Sequence, residues 1–188
     1  MKRTLHLGDI TQVSADALIY STSAQLMLSG GVGACLLKNY GTRFQKNLFK
    51  YLDSTGRKLA RVGEVLETRT PEMPWRSVLN TIAVDPHYHT DPEVVSSIIH
   101  DCFEMCSQDP DIQTLVMSPL GAGYGDLPFA TFLDIVTDAS TSLSLEIIEI
   151  KICCDDFDFY RELYEHAKTL NVEWNQPANN AMEGNRTR

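Results

Sequence analysis

The amino-acid sequence predicts an α/β domain with a mainly parallel sheet that helices cover on both faces. Short β-rich runs alternate with helical patterns along the chain, which is the order typical of this class. Residues 114–117 form a continuous apolar run, as expected for a strand that is buried on both sides. The length of 188 residues suits one such domain. The predicted strands are residues 3–7, 17–20, 64–68, 78–84, 114–117 and 146–154.

Five helices are predicted between and after these strands. The clearest start is Thr-Asp-Pro-Glu at 90–93, because it combines a capping residue, a proline in the first turn and a glutamate three residues after the threonine. Gly41 is expected to end the first helix, and Thr42 with Gln45 fits a capping box that opens the second. The predicted helices are residues 32–40, 42–52, 91–106, 128–143 and 157–167.

Composition limits the possible partners and the compartment. The formal net charge of −9 argues against nucleic acid or an anionic membrane as a partner, since both need a cationic face. No apolar run approaches the roughly 18–20 residues that cross a bilayer, and the first residues do not form a signal peptide. Five cysteines, an odd number, indicate reduced thiols and a cytoplasmic protein. We expect the domain to span residues 1–170, followed by a polar, disordered tail at 171–188.

Two glycine-rich loops follow predicted strands and lead into predicted helices. The first, residues 21–33, contains Gly30, Gly31 and Gly33, and the second, residues 118–128, contains three more glycines. Helix starts leave backbone N–H groups unpaired, and glycine allows a close approach of the backbone to a ligand. Ligands of parallel sheets usually bind beyond the carboxyl ends of the strands. The pair of loops therefore predicts a diphosphate site, and two ordinary tight turns are the alternative.

The order of these motifs resembles one family. Gly-Asp-Ile-Thr at 8–11, Ala-Asp-Ala-Leu-Ile at 15–19, the first glycine loop and residues 119–125 follow the order of signatures in the macrodomains, and residues 153–160 resemble their last strand and acidic, aromatic turn. Macrodomains are modules that bind ADP-ribose, and some process ADP-ribose 1″-phosphate. The resemblance implies a three-layer α/β/α fold with a mixed, mostly parallel central sheet.

The resemblance also implies which residues bind the ligand. Asp9 matches the aspartate that accepts a hydrogen bond from the adenine amino group, and Ile10 matches the neighbour whose backbone contacts the base. Phe157 is a candidate to pack on the adenine face, and packing in the core is its alternative. The remaining implied contacts lie in the two loops around the diphosphate and the distal ribose: Gly30, Gly31, Val32 and Gly33, then Gly121, Ala122, Gly123 and Tyr124.

The sequence departs from the hydrolytic macrodomains after the second strand. Those members carry Asn-Ala-Ala-Asn, whereas this chain has Tyr-Ser-Thr-Ser, so Ser23 takes the position of the asparagine that orients the distal ribose. Ser23 stays a candidate contact, although its hydroxyl cannot present both an amide donor and an acceptor. Tyr20 replaces the first asparagine and threatens to narrow the pocket. A lysine nucleophile near Thr81, used by another branch, is absent from the sequence.

Two other groups of residues bear on catalysis and metal binding. Asp126, beside the second loop, is the one weak candidate for an acid or base, and a helix cap is the favoured alternative. His87 and His89 have a spacing known from zinc sites, but a solvated loop is the favoured interpretation. We therefore predict neither a metal nor a cofactor.

Three functional hypotheses remain. The first is a binding module that recognises ADP-ribose, free or protein-linked, or a related NAD-derived nucleotide. The second is a hydrolase that removes ADP-ribose from protein, from O-acyl-ADP-ribose or from ADP-ribose 1″-phosphate. The third is a scaffold that has kept the fold and lost the ligand, which only the changes at Tyr20 and Ser23 support.

Overall fold

A computed structural model describes residues 1–69, 71–141 and 147–177. These residues form six strands, five α-helices and a short 3-10 helix, Ile10–Gln12. The strands are β1 (Lys2–Leu7), β2 (Ala17–Ser21), β3 (Val65–Thr68), β4 (Ser77–Thr81), β5 (Thr114–Met117) and β6 (Glu149–Cys154). The helices are α1 (Gly31–Tyr40), α2 (Thr42–Thr55), α3 (Pro92–Ser107), α4 (Phe129–Thr141) and α5 (Phe157–Ala167).

The six strands form one mixed sheet in the order β1-β6-β5-β2-β4-β3. Every neighbouring pair is parallel except β3 with β4, which is antiparallel. The predicted mixed, mostly parallel sheet is therefore confirmed. Because five strands run in one direction, the loops after β1, β2, β4, β5 and β6 all leave the same edge of the sheet.

Helices cover both faces of the sheet and complete the three predicted layers. Alternate residues along a strand point to opposite faces, so Leu18 and Tyr20 of β2 pack under α1 and α2. Ala17 and Ile19 of the same strand pack under α3, α4 and α5 on the other face. Both sides of β2 are completely buried, which explains its almost continuous apolar sequence.

Several element boundaries differ from the prediction. Strand β4 ends at Thr81, three residues before the predicted end, although Ile82 still exchanges backbone hydrogen bonds with Gly63 and Glu64. Helix α2 has Gly41 as its N-cap and no capping hydrogen bond from a side chain, so the predicted capping box is wrong. Helix α4 begins at Phe129, one residue later than predicted, and its expected last residues lie outside the described ones.

The chain continues to pack on the domain beyond the predicted boundary at residue 170. Trp174 is buried, and its indole N–H donates to Thr137 Oγ1 of α4 at 3.1 Å. Asn175 pairs with Thr4 as an isolated parallel bridge on the outer edge of β1. This contact covers part of an edge that otherwise exposes unpaired backbone groups. Residues 178–188 of the predicted tail lie outside the described residues.

Candidate functional site

The loops at the carboxyl edge of the sheet are held together by backbone hydrogen bonds. The Gly8 N–H donates to Cys154 O at 2.7 Å, which ties the end of β1 to the end of β6. The Ser118 N–H donates to Ile19 O at 3.1 Å, which ties the second glycine loop to β2. The motifs that the sequence placed after separate strands therefore meet along one edge.

Asp9 lies at one end of this edge and is exposed. It caps the 3-10 helix, and its Oδ1 accepts from the Thr11 N–H at 2.8 Å and from the Thr11 hydroxyl at 2.7 Å. Among the described residues, Oδ2 has no hydrogen-bond partner, which leaves one acceptor available to a ligand. The adjacent Ile10 is buried and anchors the turn, so only its backbone is available to a ligand.

The surroundings of Asp9 bring the ends of β1 and β6 close to helix α1. Burial is the main cause that raises the pKa of the Cys35 thiol, and the negative charges of Asp9 and Asp155 raise it further. Burial, Asp155 and Asp9 raise the pKa of Cys153 to about 12 in the same way. Both thiols therefore stay protonated at neutral pH, which argues against a thiolate nucleophile here.

Phe157 projects from the start of α5, and half of it is exposed to solvent. The alternative of core packing is therefore not what the structure shows. The aromatic side chain of α5 that lies in the core is Tyr160, whereas the exposed ring of Phe159 stacks on Phe129 of α4 with centroids 4.6 Å apart. Asp156 caps α5 by accepting from the N–H groups of Asp158 and Phe159, which fixes the helix start that carries Phe157.

The first glycine loop ends at the N-terminus of α1. Gly30 is the N-cap, and no side chain caps the helix. Gly33 packs against Leu28 of the same loop, because a Cβ at Gly33 would lie 3.3 Å from Leu28 Cα. Gly31 has a positive φ of 49°, which favours glycine. The uncapped N–H groups and the positive end of the helix dipole together suit an anion.

A buried glutamine holds the first glycine loop from inside. Gln45 Oε1 accepts from the Leu28 N–H at 2.8 Å, and Gln45 Nε2 donates to Leu26 O at 2.7 Å. These two bonds satisfy backbone groups in a stretch where Leu26 has a positive φ of 55°. Sequence reasoning missed this role, and the signal that could have found it is a polar residue at an inward-facing position of α2.

Ser23 and Tyr20 are placed by bonds within the protein. Ser23 Oγ accepts from the Met27 N–H at 3.3 Å and so closes a turn inside the first glycine loop. Tyr20 is completely buried, and its hydroxyl donates to Asn80 Oδ1 of β4 at 2.7 Å. Burial raises the pKa of Tyr20. Because the tyrosine ring lies in the core under α1 and α2, it does not protrude to narrow the cleft.

The second glycine loop needs glycine for steric reasons. Gly121 has a positive φ of 72°, and a Cβ at Gly125 would lie 2.2 Å from Gly121 O. Thr90 packs against both glycines. A Cβ at Gly121 would lie 2.7 Å from Thr90 Cγ2, and a Cβ at Gly125 would lie 2.7 Å from Thr90 Oγ1. Ala122 is buried between them, whereas Gly123 is exposed at the tip. The loop is therefore folded tightly onto the chain before α3.

Tyr124 brings the two loops together. A Cβ at Gly30 would lie 3.2 Å from Tyr124 Oη, and one at Gly31 would lie 3.5 Å from Tyr124 Cε2. The tyrosine is nevertheless 73% exposed, so it lies on the surface over these two glycines and not in the core. Tyr88, also exposed, lies beside it with ring centroids 6.4 Å apart.

Asp126 holds the second loop to the segment before α3. Its Oδ1 accepts from the Thr90 N–H at 2.7 Å, and its Oδ2 lies 3.0 Å from His89 Nδ1. The favoured interpretation as a cap of α4 is therefore wrong, since both oxygens are used elsewhere. The contact with His89 is the main cause that lowers the pKa of Asp126, and Asp126 in turn raises the pKa of His89.

Metal-binding chemistry is not concentrated at this edge. His89 pairs with Asp126, and His87 lies exposed two residues before it. Within the ranges that the structure covers, no group of three or more histidine, cysteine, aspartate or glutamate side chains could hold a metal ion. In those same ranges, no helix is both long and apolar enough to cross a membrane.

A family model described as Macro domain matches residues 20–136, which is more than half of the chain. The chain belongs to the macrodomain family. The matched part contains both glycine loops, Tyr124 and Asp126. Asp9 and Phe157 lie outside it.

Known proteins extend the comparison over most of this macrodomain. An uncharacterized protein of Saccharolobus solfataricus is 23% identical over 163 residues, covering 84% of this chain and 89% of that protein. An uncharacterized protein of Mycobacterium tuberculosis is 23% identical over 124 residues, and the match spans only 33% of its length. An Oceanobacillus iheyensis macrodomain, solved as a point mutant with ADPR, has a TM-score of 0.75 at 15% identity and covers 88% of this chain and 91% of its own. The structural match confirms the three-layer fold.

Proposed function

We propose that this macrodomain binds ADP-ribose, either free or attached to a protein. The observation that carries the proposal is the contact of Tyr124 with Gly30, which joins the two glycine loops; we propose that the diphosphate binds in a cleft between them. Backbone N–H groups of these loops provide the donors that a diphosphate needs in a chain with a net charge of −9. The Oceanobacillus macrodomain with the same fold was solved with ADPR, which supports the same ligand here.

We propose that the adenine and the distal ribose of the ligand bind at opposite ends of the cleft. Asp9 offers Oδ2 as an acceptor for the adenine amino group, and Phe157 offers an exposed ring for the adenine face. We propose that the distal ribose binds at the opposite end, beside Ser23. The remaining proposed contacts are Ile10, Gly30, Gly31, Val32, Gly33, Gly121, Ala122, Gly123 and Tyr124.

Asp9→Asn tests the adenine assignment without removing the turn. Asparagine keeps an oxygen for both Thr11 bonds but places an N–H₂ donor where Oδ2 was. We expect titration calorimetry to show an affinity for ADP-ribose at least about ten-fold lower, because a hydrogen bond to a charged group contributes about 1.5–3 kcal/mol. The hypoxanthine analogue of ADP-ribose has a carbonyl in place of the amino group. Asp9→Asn should lower the affinity for this analogue much less than the affinity for ADP-ribose.

Asp101→Asn is the matched control, because Asp101 is an exposed aspartate on α3. It changes the net charge by the same amount and should leave ADP-ribose affinity unchanged. Equal losses in both variants would show a general charge effect and contradict the adenine assignment. An unmodified protein that does not bind ADP-ribose would overturn the proposed function and favour the scaffold hypothesis.

One observation supports hydrolysis as a second candidate function. His89 and Asp126 form a carboxylate–imidazole pair beside the second glycine loop, and this arrangement can orient a group that transfers protons. Asp126 would then position His89 and not itself act on the substrate. If the protein releases ADP-ribose from an ADP-ribosylated protein, His89→Gln should abolish turnover while His87→Gln does not. Equal turnover in all three proteins would remove His89 from the mechanism.

We also propose that this macrodomain acts in the cytoplasm on ADP-ribosylated protein. All five cysteines are free thiols, and four of them are buried. Buried free thiols in this number suit a reducing compartment.

A further inference from the structure

A basic segment borders the end of the cleft where the distal ribose is proposed to bind. This segment, residues 57–62, follows α2 and is called the 57–62 rim. The Ala60 N–H donates to Ala24 O at 2.8 Å, so the rim is fixed to the residue that follows Ser23. Arg57, Arg61, Val62 and Glu64 line a groove of about 370 Å³ at this place.

Two of the rim's three positive charges are not neutralised within the described part of the chain. Arg57 donates two hydrogen bonds to Glu64, at 3.0 and 2.7 Å, and is the main cause that lowers the pKa of Glu64 to about 2. Arg57 and Glu64 therefore neutralise each other. Lys58 and Arg61 are exposed and form no ion pair with a carboxylate of the described residues. The rim taken together with Glu64 thus has an excess of two positive charges, and one of these, Arg61, lines the groove itself.

The chemistry around these charges favours a peptide over a nucleic acid. Leu59 and Val62 are 46% and 43% exposed between the basic residues, so the rim offers aliphatic contacts as well as charge. The rest of the molecule repels an extended polyanion, because the sequence has no lysine or arginine between Arg76 and Lys151 and has twelve acidic residues in that interval. A short acidic segment can use the rim without meeting that negative surface.

We propose that the 57–62 rim binds an acidic peptide segment next to the ADP-ribose attachment point of a modified protein. The inference rests on the proposed function, because the Ala60–Ala24 bond connects the rim to the proposed distal-ribose end of the site. ADP-ribose inserted from Asp9 towards Ser23 would bring the attached protein out at Ala24, beside Lys58 and Arg61. The rim then adds affinity for a modified protein that free ADP-ribose cannot use.

Calorimetry with two peptides that carry ADP-ribose through a stable linkage tests this inference. One peptide has glutamates on both sides of the modified residue, and the other has glutamines. The unmodified macrodomain should bind the glutamate peptide about ten-fold more tightly than the glutamine peptide, and added salt should reduce this difference. The double variant Lys58→Glu, Arg61→Glu should remove it, and Lys58→Gln, Arg61→Gln should reduce it. Neither variant should change the affinity for free ADP-ribose by more than about two-fold.

The double variant Lys46→Glu, Lys50→Glu is the matched control. Both lysines are exposed on α2 and outside the groove, and reversing them changes the net charge by the same amount. If this control removes the preference equally, net charge explains it and the rim proposal is wrong. Equal affinity of the unmodified protein for both peptides also overturns the rim proposal while ADP-ribose binding stands. Failure to bind free ADP-ribose overturns both. If a single-stranded oligonucleotide competes for the 57–62 rim more strongly than the glutamate peptide does, the occupant is not a peptide and the rim proposal is wrong.

Discussion

The two glycine loops meet at Tyr124, but the protein holds them in different ways. The first loop is fixed from the core by Gln45, whose amide makes two uncharged hydrogen bonds to the loop backbone. The second loop is fixed at the surface by Asp126, which bonds His89 and Thr90. One loop therefore depends on buried neutral groups and the other on exposed ionisable groups and on close glycine packing.

This difference predicts different responses to conditions. A side-chain amide has no charge at any pH at which proteins are folded, so its buried hydrogen bonds do not depend on pH. Salt does not screen them either. An exposed carboxylate–imidazole pair responds to both pH and salt. We therefore expect the first loop to be a fixed wall of the cleft, whereas the second loop, which carries Tyr124, responds to its surroundings.

Gly125→Ala should have the largest effect on stability. The added methyl group would lie 2.2 Å from Gly121 O and 2.8 Å from Val84 Cγ1, so the backbone of the second loop must move. We expect the free energy of unfolding to fall by about 3 kcal/mol in urea denaturation. Gly123→Ala is the control in the same loop, since nothing lies within 4 Å of its added methyl group. If Gly125→Ala and Gly123→Ala have the same free energy of unfolding, Gly125 is not closely packed and this prediction is wrong.

Gln45→Leu should have the next largest effect and acts on the first loop. Leucine has a similar size but leaves the Leu28 N–H and the Leu26 carbonyl without their partner. We expect a loss of about 2 kcal/mol in the free energy of unfolding, because buried unsatisfied backbone groups are costly. Affinity for ADP-ribose should fall with it. Asn47→Leu, at a half-buried position of the same helix, should change neither quantity.

These two loops also show what the sequence could and could not predict. The fold could be predicted because strand and helix patterns are local. Each predicted strand and helix is present in the structure. The sequence pattern predicts a helix-start role for both Gln45 and Asp126, because that pattern is also local. Their actual partners are 17 to 19 and 36 to 37 residues away. Sequence spacing does not encode which distant backbone a buried amide or an exposed carboxylate will meet.

Tyr124→Ala should lower the affinity for ADP-ribose while leaving stability almost unchanged. The side chain is 73% exposed, so its loss should alter the free energy of unfolding by less than about 0.5 kcal/mol. It covers Gly30 and Gly31, however, and removing it opens the cleft to water. We expect calorimetry to show about a ten-fold weaker affinity, equivalent to about 1.4 kcal/mol. Tyr124→Phe, which removes only the hydroxyl, should lose less. A large loss of stability in the alanine variant would mean that Tyr124 is part of the core.

Asp126→Asn should have the smallest effect, and that effect should depend on pH. The pKa of Asp126 is lowered in the folded protein, so its contribution to stability is present above its ordinary pKa of 3.8 and is lost as pH falls through the folded value. The pKa of His89 is raised, so its contribution is present below 6.5 and is lost as pH rises through the folded value. The two conditions overlap in a window of mildly acidic pH.

The variant should therefore differ from the unmodified protein more at about pH 5.5 than at about pH 8.5, both in melting temperature and in affinity for ADP-ribose. The Thr90 N–H bond can persist in the variant, because asparagine keeps one acceptor oxygen. What is lost is the charge that faces His89, so added salt should reduce the difference as well. Gln45→Leu provides the comparison, since its loss should be the same at both pH values. If the two variants show the same pH dependence, the loops are not held by different kinds of contact.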